Sequence, residues 1–339
     1  MQPVTIALDA MGGDHGPSVV VPAAVSAVER IDRLEAILVG DSETIGVELA
    51  NRGRTDRVRV HHAGEQVGMD ESPAQALRTK KDSSMRVALD LVACGQADAC
   101  VSAGNTGALL AIARFVLKTL PGIDRPAIVS ALPSRRGLTH VLDLGANVDA
   151  TPEQLFQFAV MGSTLVSAIH RIREPRVGLL NVGEEEIKGH ETVREAARLI
   201  ARSDLNYRGF VEGDGIFSGE VDVVVCDGFA GNIALKSSEG AARMIGSMIE
   251  GEFRRTGLSR IAGVLARPVL QSVRRRIDPR NYNGAIFVGL RGTVVKSHGR
   301  ADAYSFENAI REAVVEVQNN VPERIGEHLD VLLSQGPGE

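Results

Sequence analysis

Apolar and polar positions along this chain repeat one phrase: a short β-rich run, a tight polar loop with glycines, then a stretch of helical period. Strand-like runs fall at about residues 4–8, 36–39, 58–61, 99–102, 127–132, 141–144, 177–181, 209–212 and 221–226. Between them, residues 19–28, 83–93, 108–117, 153–169 and 191–200 place apolar side chains at helical spacing. Strand, loop, helix, strand predicts a wound α/β fold: a mostly parallel sheet with flanking helices.

The phrase changes after Asp227. Residues 232–255 read as one long helix, then Gly257, then a second helical segment at 259–277. That segment carries Ile261, Leu265, Val269, Val273 and Ile277 at four-residue spacing, and Pro268 is expected to kink or split it. β character returns at 284–288 and 294–296, followed by helix at 305–317 and a tail from Pro322. No repeat, low-complexity tract or linker interrupts this order. The expectation is one α/β domain over 1–339, with residues 240–282 forming a protruding basic amphipathic segment.

Six of the loops are short and chemically alike. They are Asp9-Ala-Met-Gly12-Gly13-Asp14-His15-Gly16, Ser102-Ala-Gly104-Asn105-Thr106-Gly107, Asp143-Leu-Gly145-Ala-Asn147, Asn181-Val-Gly183-Glu184-Glu185, Glu212-Gly213-Asp214-Gly215 and Asp227-Gly228-Phe229-Ala-Gly231-Asn232. In an open parallel sheet such loops gather at the carboxyl edge, where ligands sit. Glycine lets backbone approach a ligand, and helix amino ends offer free N–H groups and positive partial charge. Six on one edge predict a site for an anion.

Composition narrows the partners. The chain of 339 residues has a net charge of −5, no Trp and three Tyr, which removes both a general reason to bind nucleic acid and a base-stacking platform. Aliphatic residues must then fill the core, as parallel sheets prefer. Cys94, Cys100 and Cys226 form an odd set without metal or disulfide spacing, which suits a reducing compartment. Residues 2–6 run straight into a strand, and no apolar run approaches the ~20 residues that span a bilayer. One region departs from the acidic average: residues 254–280 hold eight arginines against a single acid, Asp278. A basic amphipathic segment of this kind serves a membrane surface, an acidic partner, a second subunit, or nothing beyond a solvated face.

Familiar catalytic signatures are missing. There is no phosphate-binding GxxxxGK[ST] loop, no GxSxG elbow, no HExxH, and no histidine cluster with metal spacing. What remains is a set of polar groups at strand ends. Asp9, Asp143, Asp227 and Glu184 are candidate general bases or helix caps. Asn105, Thr106 and Asn147 are neutral donors. Lys188 and Lys236, each four residues past the start of a loop or helix, supply positive charge, and His298 is a further acid–base candidate. Arg78, Lys80, Lys81 and Arg86 surround Ser83 and Ser84 in an expected helical insert at 69–86.

Taken in order, the segments Ile6-Ala-Leu-Asp9-Ala-Met-Gly-Gly-Asp14-His15-Gly-Pro17, Lys81-Asp-Ser-Ser-Met85, Val101-Ser-Ala-Gly-Asn105-Thr-Gly-Ala108, Leu142-Asp-Leu-Gly-Ala-Asn147-Val-Asp149, Leu180-Asn-Val-Gly-Glu-Glu185-Glu-Ile-Lys188-Gly189, Val225-Cys-Asp227-Gly-Phe-Ala-Gly-Asn232 and Lys296-Ser-His298-Gly299 closely resemble the bacterial phosphate acyltransferase family PlsX. The likeness covers nearly the whole chain. One departure is His190, where the family more often shows Asn. The resemblance implies a fold like that of isocitrate and isopropylmalate dehydrogenases, usually a homodimer, in a cytoplasmic enzyme peripherally bound to membrane. It implies transfer of a long-chain fatty acyl group from acyl carrier protein to inorganic phosphate, with the acyl phosphate passed to a glycerol-3-phosphate acyltransferase.

No cofactor or metal is expected. Phosphate would rest on the amides of Gly12-Gly13, Gly104-Asn105-Thr106 and Gly231-Asn232, among Asp9, Asp14, Ser102, Asp143 and Asn147. Lys188 would neutralise it, and Asn232 or His298 would face the thioester oxygen, oriented by Asp227 or Glu184. Arg260, Arg267, Arg274, Arg275 and Arg276 would dock the carrier or anionic lipid. The alternatives are a short-chain phosphate acetyltransferase using coenzyme A, a nicotinamide-dependent β-decarboxylating dehydrogenase, and a membrane scaffold without chemistry.

Overall fold

The computed structural model describes residues 3–52 and 56–334. Eleven strands form one sheet: β1 (Val4–Asp9), β2 (Leu34–Gly40), β3 (Val58–His62), β4 (Ala99–Ser102), β5 (Ala127–Ser134), β6 (Gly137–Leu142), β7 (Val177–Leu180), β8 (Tyr207–Val211), β9 (Val223–Val225), β10 (Ala285–Val288) and β11 (Thr293–Lys296). Their order is β3-β2-β1-β4-β11-β10-β5-β6-β9-β7-β8. The helices are α1 (Pro17–Arg30), α2 (Ser42–Ala50), α3 (Pro73–Thr79), α4 (Ser84–Ala93), α5 (Thr106–Leu117), α6 (Pro152–His170), α7 (Glu191–Ala201), α8 (Gly228–Arg255), α9 (Gly257–Ile277), α10 (Ala303–Gln318) and α11 (Val321–Ser334).

Local chemistry sets the helix starts. Asp227 caps α8 by accepting the Ala230 amide, Asn105 caps α5 through the Ala108 amide, and Thr151 with Gln154 forms a reciprocal box at α6. Helices α1, α6, α7, α10 and α11 bury aliphatic stripes on one face of the sheet. Helices α3, α4 and α5 cover the other, joined there by Ala230, Ala234 and Leu235 from the first turns of α8.

The expected single carboxyl edge is not what forms. Strand β10 runs antiparallel to both β11 and β5, and β6 runs antiparallel to β5. Thus β1–β5 and β11 point one way, whereas β6–β10 point the other. Loops after β1 and β4 therefore leave one end of the sheet, and loops after β6, β7, β8 and β9 leave the opposite end. Two tight antiparallel connections, β5–β6 and β10–β11, cause the reversal, because neither has room for a crossover helix.

Register leaves the two ends little offset along the strands, although β10 and β5 stand between β11 and β6. One unbroken row crosses the sheet through Leu8, Val101, Val295, Ile286, Val129, Leu142 and Val225. Asp9, Ser102 and Lys296 come one residue after it in one direction, and Asp143 and Cys226 one residue after it in the other. The offset along the strands is two residues, or about 7 Å. Row residues pack in the first core, and their neighbours Ala7, Cys100 and Val294 in the second. Alternation then turns Asp9, Ser102 and Lys296 to the face shared by α4, α5 and α8.

Three smaller expectations change. Residues 69–86 form two helices with a turn between them, because Ser83 starts α4 afresh by accepting the Arg86 amide. Strand β6 ends at Leu142, two residues early, where the Asp143 carboxylate accepts the β5 amide of Ile128 and the loop amide of Asn147. Pro268 lies inside α9 without splitting it. The carbonyl it frees belongs to Val264, which is exposed to water. Helix α9 packs chiefly on α8, and most side chains beyond Glu239 on this pair are exposed.

Candidate active site

Asp9 ends β1 at 1 % exposure. It accepts the hydroxyls of Ser102 and Ser84, each at 2.6 Å, together with the amides of Met11 and Gly12. Burial pushes its carboxyl up, and the hydroxyl bonds offset part of that. Ser102 Oγ also accepts the Gly104 amide at 3.0 Å, tying the loop after β4 to the loop after β1. Gly12 is required by this closeness: a Cβ there would sit 2.5 Å from Asp9 Oδ2 and 2.8 Å from the Gly104 nitrogen. Asp14 donates its amide to the Gly299 carbonyl at 2.9 Å and faces Arg300 at 3.6 Å. The loops after β1, β4 and β11 therefore form one cluster.

Lys296 closes the floor of this cluster. It is 9 % exposed and makes no ion pair among the described residues; Nζ donates to the carbonyls of Ala103, at 3.3 Å, and Ser297. Burial lowers its pKa to about 8, opposed by Asp9 and Asp14 and assisted by the Lys236 charge. His298, two residues on, donates its amide to Asn283 Oδ1 at 2.9 Å, and its Nδ1 accepts the Arg300 amide at 3.1 Å. That bond leaves the imidazole proton on Nε2. Desolvation, then Lys236, hold its pKa below the usual value, with Lys296 and Arg300 adding to the effect against Glu239. The neutral ring is a donor at neutral pH.

Asn105 is already occupied. Its amide nitrogen donates to the carbonyls of Met69 and Glu71, and its oxygen accepts Ala108 N. Thr106 is exposed at the first position of α5.

A second cluster surrounds Asp143. This carboxylate accepts the amides of Ile128 at 2.9 Å, Ala146 at 3.1 Å and Asn147 at 2.6 Å, and Asn147 Nδ2 at 3.0 Å. Asn147 Nδ2 also reaches the Pro126 carbonyl, and the Asn147 carbonyl accepts the Gly228 amide. A Cβ at Gly231 would lie 1.9 Å from the Asp143 carbonyl oxygen, so only glycine lets α8 press onto this loop. Asn232, exposed, stands over Gly145. One turn further, Lys236 carries its charge into reach of Lys296 and His298. Helix α8 thereby links the two clusters.

Lys188 and Glu184 lie on an exposed loop after β7. Lys188 pairs with Glu185 at 3.0 Å, and its carbonyl accepts Asn181 Nδ2. The bonds described for it stay within that loop. Cys226 is buried, its thiol pKa pushed up by desolvation and by Asp143 and Asp227; Cys100 is raised by burial and by Asp9. Neither thiol is poised as a nucleophile. Arg260, Arg267 and Arg276 are exposed on α9; the side chains of Arg274 and Arg275 lie outside the described residues.

Comparison with known proteins gives this architecture relatives. A family described as "Fatty acid synthesis protein" matches residues 4–324. The phosphate acyltransferase of Methylococcus capsulatus is 62 % identical over 327 residues, covering 96 % of each chain, and that of Alkalilimnicola ehrlichii is 60 % identical over 98 % of this chain and 97 % of its own. The chain belongs to the phosphate acyltransferase family. Among solved structures, a phosphotransacetylase from Streptococcus pyogenes superposes with a TM-score of 0.64 at 20 % identity, covering 95 % of this chain and 94 % of its own. A 4-hydroxythreonine-4-phosphate dehydrogenase from Klebsiella pneumoniae gives 0.56 at 14 %, covering 94 % and 100 %. Both likenesses concern the fold.

In this family member, sequence reasoning passed over Lys296 and Ser84 as site residues. The available signal for Lys296 was a lysine ending the apolar run Thr293-Val-Val-Lys296, since a charge closing a buried strand must be held by something. Ser84 gave no such signal, because its bond to Asp9 joins segments 75 residues apart.

Proposed function

We propose that this enzyme transfers a long-chain fatty acyl group from acyl carrier protein to inorganic phosphate, yielding an acyl phosphate for phospholipid synthesis. The observation that carries this reading is about 60 % identity, over nearly the full chain, to proteins named phosphate acyltransferase. Phosphate is an oxyanion nucleophile and a thiolate leaves readily, so the protein's task is positioning and charge stabilisation. Phosphate rests at the turns of Gly12-Gly13 and Gly104-Asn105-Thr106, with Lys188 brought over it from its loop. A phosphate oxygen attacks the thioester carbon. His298 Nε2–H, or the Asn232 amide, donates to the carbonyl oxygen as its charge grows. The C–S bond then breaks, and the carrier thiolate leaves and takes a proton from water.

Helices α8 and α9 suit the acidic carrier, a second subunit or the membrane surface. Met244, Met248, Ile261, Leu265 and Val269 are exposed beside Arg260, Arg267 and Arg276. No helix among the described residues is long and apolar enough to cross a membrane. In our reading the protein is a homodimer, peripherally associated with the cytoplasmic membrane. Arg260→Glu with Arg267→Glu should abolish binding to anionic liposomes while carrier affinity persists; the reverse outcome assigns this face to the carrier.

The activity test incubates purified protein with palmitoyl carrier protein and phosphate, then traps product with hydroxylamine. Palmitoyl hydroxamate that depends on phosphate supports the reading. Hydroxamate formed only from acetyl coenzyme A would make the enzyme a short-chain phosphate acetyltransferase, and none from either would end both.

A further inference from the structure

Lys296 is an unusual residue to find where it is. The end of β11 lies at the centre of the sheet, between β4 and β10, with side chains packed over both faces. A lysine there loses its hydration, and the usual remedy is a carboxylate partner. Asp9 is near enough to attract the charge, yet its oxygens are taken by Ser102, Ser84 and backbone amides. Among the described residues the ammonium bonds two backbone carbonyls and no carboxylate. One of those carbonyls, of Ala103, belongs to the turn whose next residues open α5.

A second cation faces it from another element. Lys236 stands on the third turn of α8, half exposed, tethered to Glu239 at 3.1 Å. Its charge disfavours the protonated form of both Lys296 and His298. Two like charges brought to act on each other from separate elements cost the protein stability unless an anion offsets them. The charges acting on Lys296 are Asp9 from β1, Asp14 from the loop before α1 and Lys236 from α8, and its neighbour His298 is acted on by Lys236, Glu239, Arg300 and Lys296 itself. Asp9 is screened by its hydroxyls, and Asp14 is drawn to Arg300.

We infer that Lys296 is a direct ligand of the phosphate substrate, with Lys236 closing over the anion from α8. The inference rests on the phosphate-acyltransferase reading and gives that site its charge. Phosphate binding then favours the protonated amine and takes up a proton where the free enzyme has partly lost it, from about pH 8 upward. It also makes His298 a neighbour of the bound nucleophile, on the side from which its Nε2–H can reach the thioester oxygen.

The test is the phosphate dependence of hydroxamate formation by the full-length protein between pH 6.5 and 9.5, with calorimetric titration of inorganic phosphate alone. Lys296→Met should weaken phosphate roughly tenfold or more, as expected for a lost charge-assisted bond. It should also remove the alkaline loss of affinity that the native enzyme shows near pH 8. Lys296→Arg should restore part of the affinity and move that loss to higher pH. Lys236→Met, at an exposed position, should weaken phosphate severalfold and also shift the alkaline loss upward, because Lys296 then titrates without a cationic neighbour. This variant decides the matter if Lys296→Met does not fold. Phosphate's own ionisation is common to every variant and cancels. Native phosphate affinity in folded Lys296→Met, or an unmoved alkaline limb in Lys236→Met, overturns the inference and leaves the activity intact. A native protein that binds phosphate but makes no acyl phosphate overturns the activity and leaves the anion site standing.

Discussion

Two regions of this protein are spelled almost alike and behave differently. The loop after β1 and the loop after β6 each begin with a buried aspartate, contain a tight glycine turn and continue with another polar residue. Around Asp143 the carboxylate is filled: four donors converge on it, and Asn147 stitches β5 to α8. Around Asp9 the hydroxyls are satisfied, but among the described residues Lys296 has no ion-pair partner and the His298 Nε2 edge meets no acceptor. A strand-end aspartate is a clasp when backbone amides fill it. It becomes part of a site when it holds side chains beside an uncompensated charge.

The largest effect should come from breaking the clasp. Asp143→Ala leaves the amides of Ile128, Ala146 and Asn147 without partners, at about 1–3 kcal/mol each, for a loss on the order of 5 kcal/mol. Chemical denaturation should show this as a lower midpoint and a poor folded yield. A variant as stable as the native protein would erase the distinction drawn here.

Asp9→Asn should do the opposite. We expect stability to fall by less than about 2 kcal/mol while kcat/KM drops on the order of 100-fold, because the hydroxyls and Lys296 lose the charge that sets them. Steady-state rates beside a denaturation curve give both numbers. Equal losses in stability and rate for Asp9 and Asp143 would merge the two regions into one structural class.

Stability against pH sharpens the contrast further. The folded-state pKa of Lys296, about 8, is below the ordinary lysine value, so the folded protein releases this proton before the unfolded chain does. The unfolded state then binds more protons, and stability gains from this group as pH rises from about 8 to about 10.5, by about 3 kcal/mol at most. Lys296→Met should lack that gain and should be more stable than the native protein at pH 7. A native-like rise in Lys296→Met would place the titration elsewhere.

The smallest effect belongs to Lys188→Ala. Lys188 would reach phosphate from an exposed loop, where solvent screens its charge and Glu185 competes for it, so its removal should raise the KM for phosphate only a few-fold. A loss as large as that of Lys296→Met would move the charge of the site to this loop.

Much of the fold was legible because hydrophobic period is local. Ten of the eleven strands, and the helical stretches that became α8 and α9, fall close to where apolar runs and four-residue spacing put them, whereas β6 is shifted to Gly137–Leu142. The sense of the strands was not legible. Reversal at β5–β6 and β10–β11 depends on pairing, and an apolar run looks the same in either direction. The site followed the same division. Aspartates and glycines at strand ends announced themselves, whereas Asp9 bonds to Ser84 across 75 residues and Lys296 bonds to the Ala103 carbonyl across 193. Side-chain partners that distant are set by the sheet order, which no short motif encodes.

The central claim is that the anion sits with Asp9 and Lys296, and that the Asp143 loop only holds the frame. Diffraction from crystals of the native protein soaked in phosphate tests it most directly. Density is expected between the Ala103–Gly104 turn, Lys296 and the third turn of α8, within hydrogen-bond distance of Lys296 Nζ. Density seated instead on the amides of the Asp143 loop, with the Lys296 region empty, would contradict it.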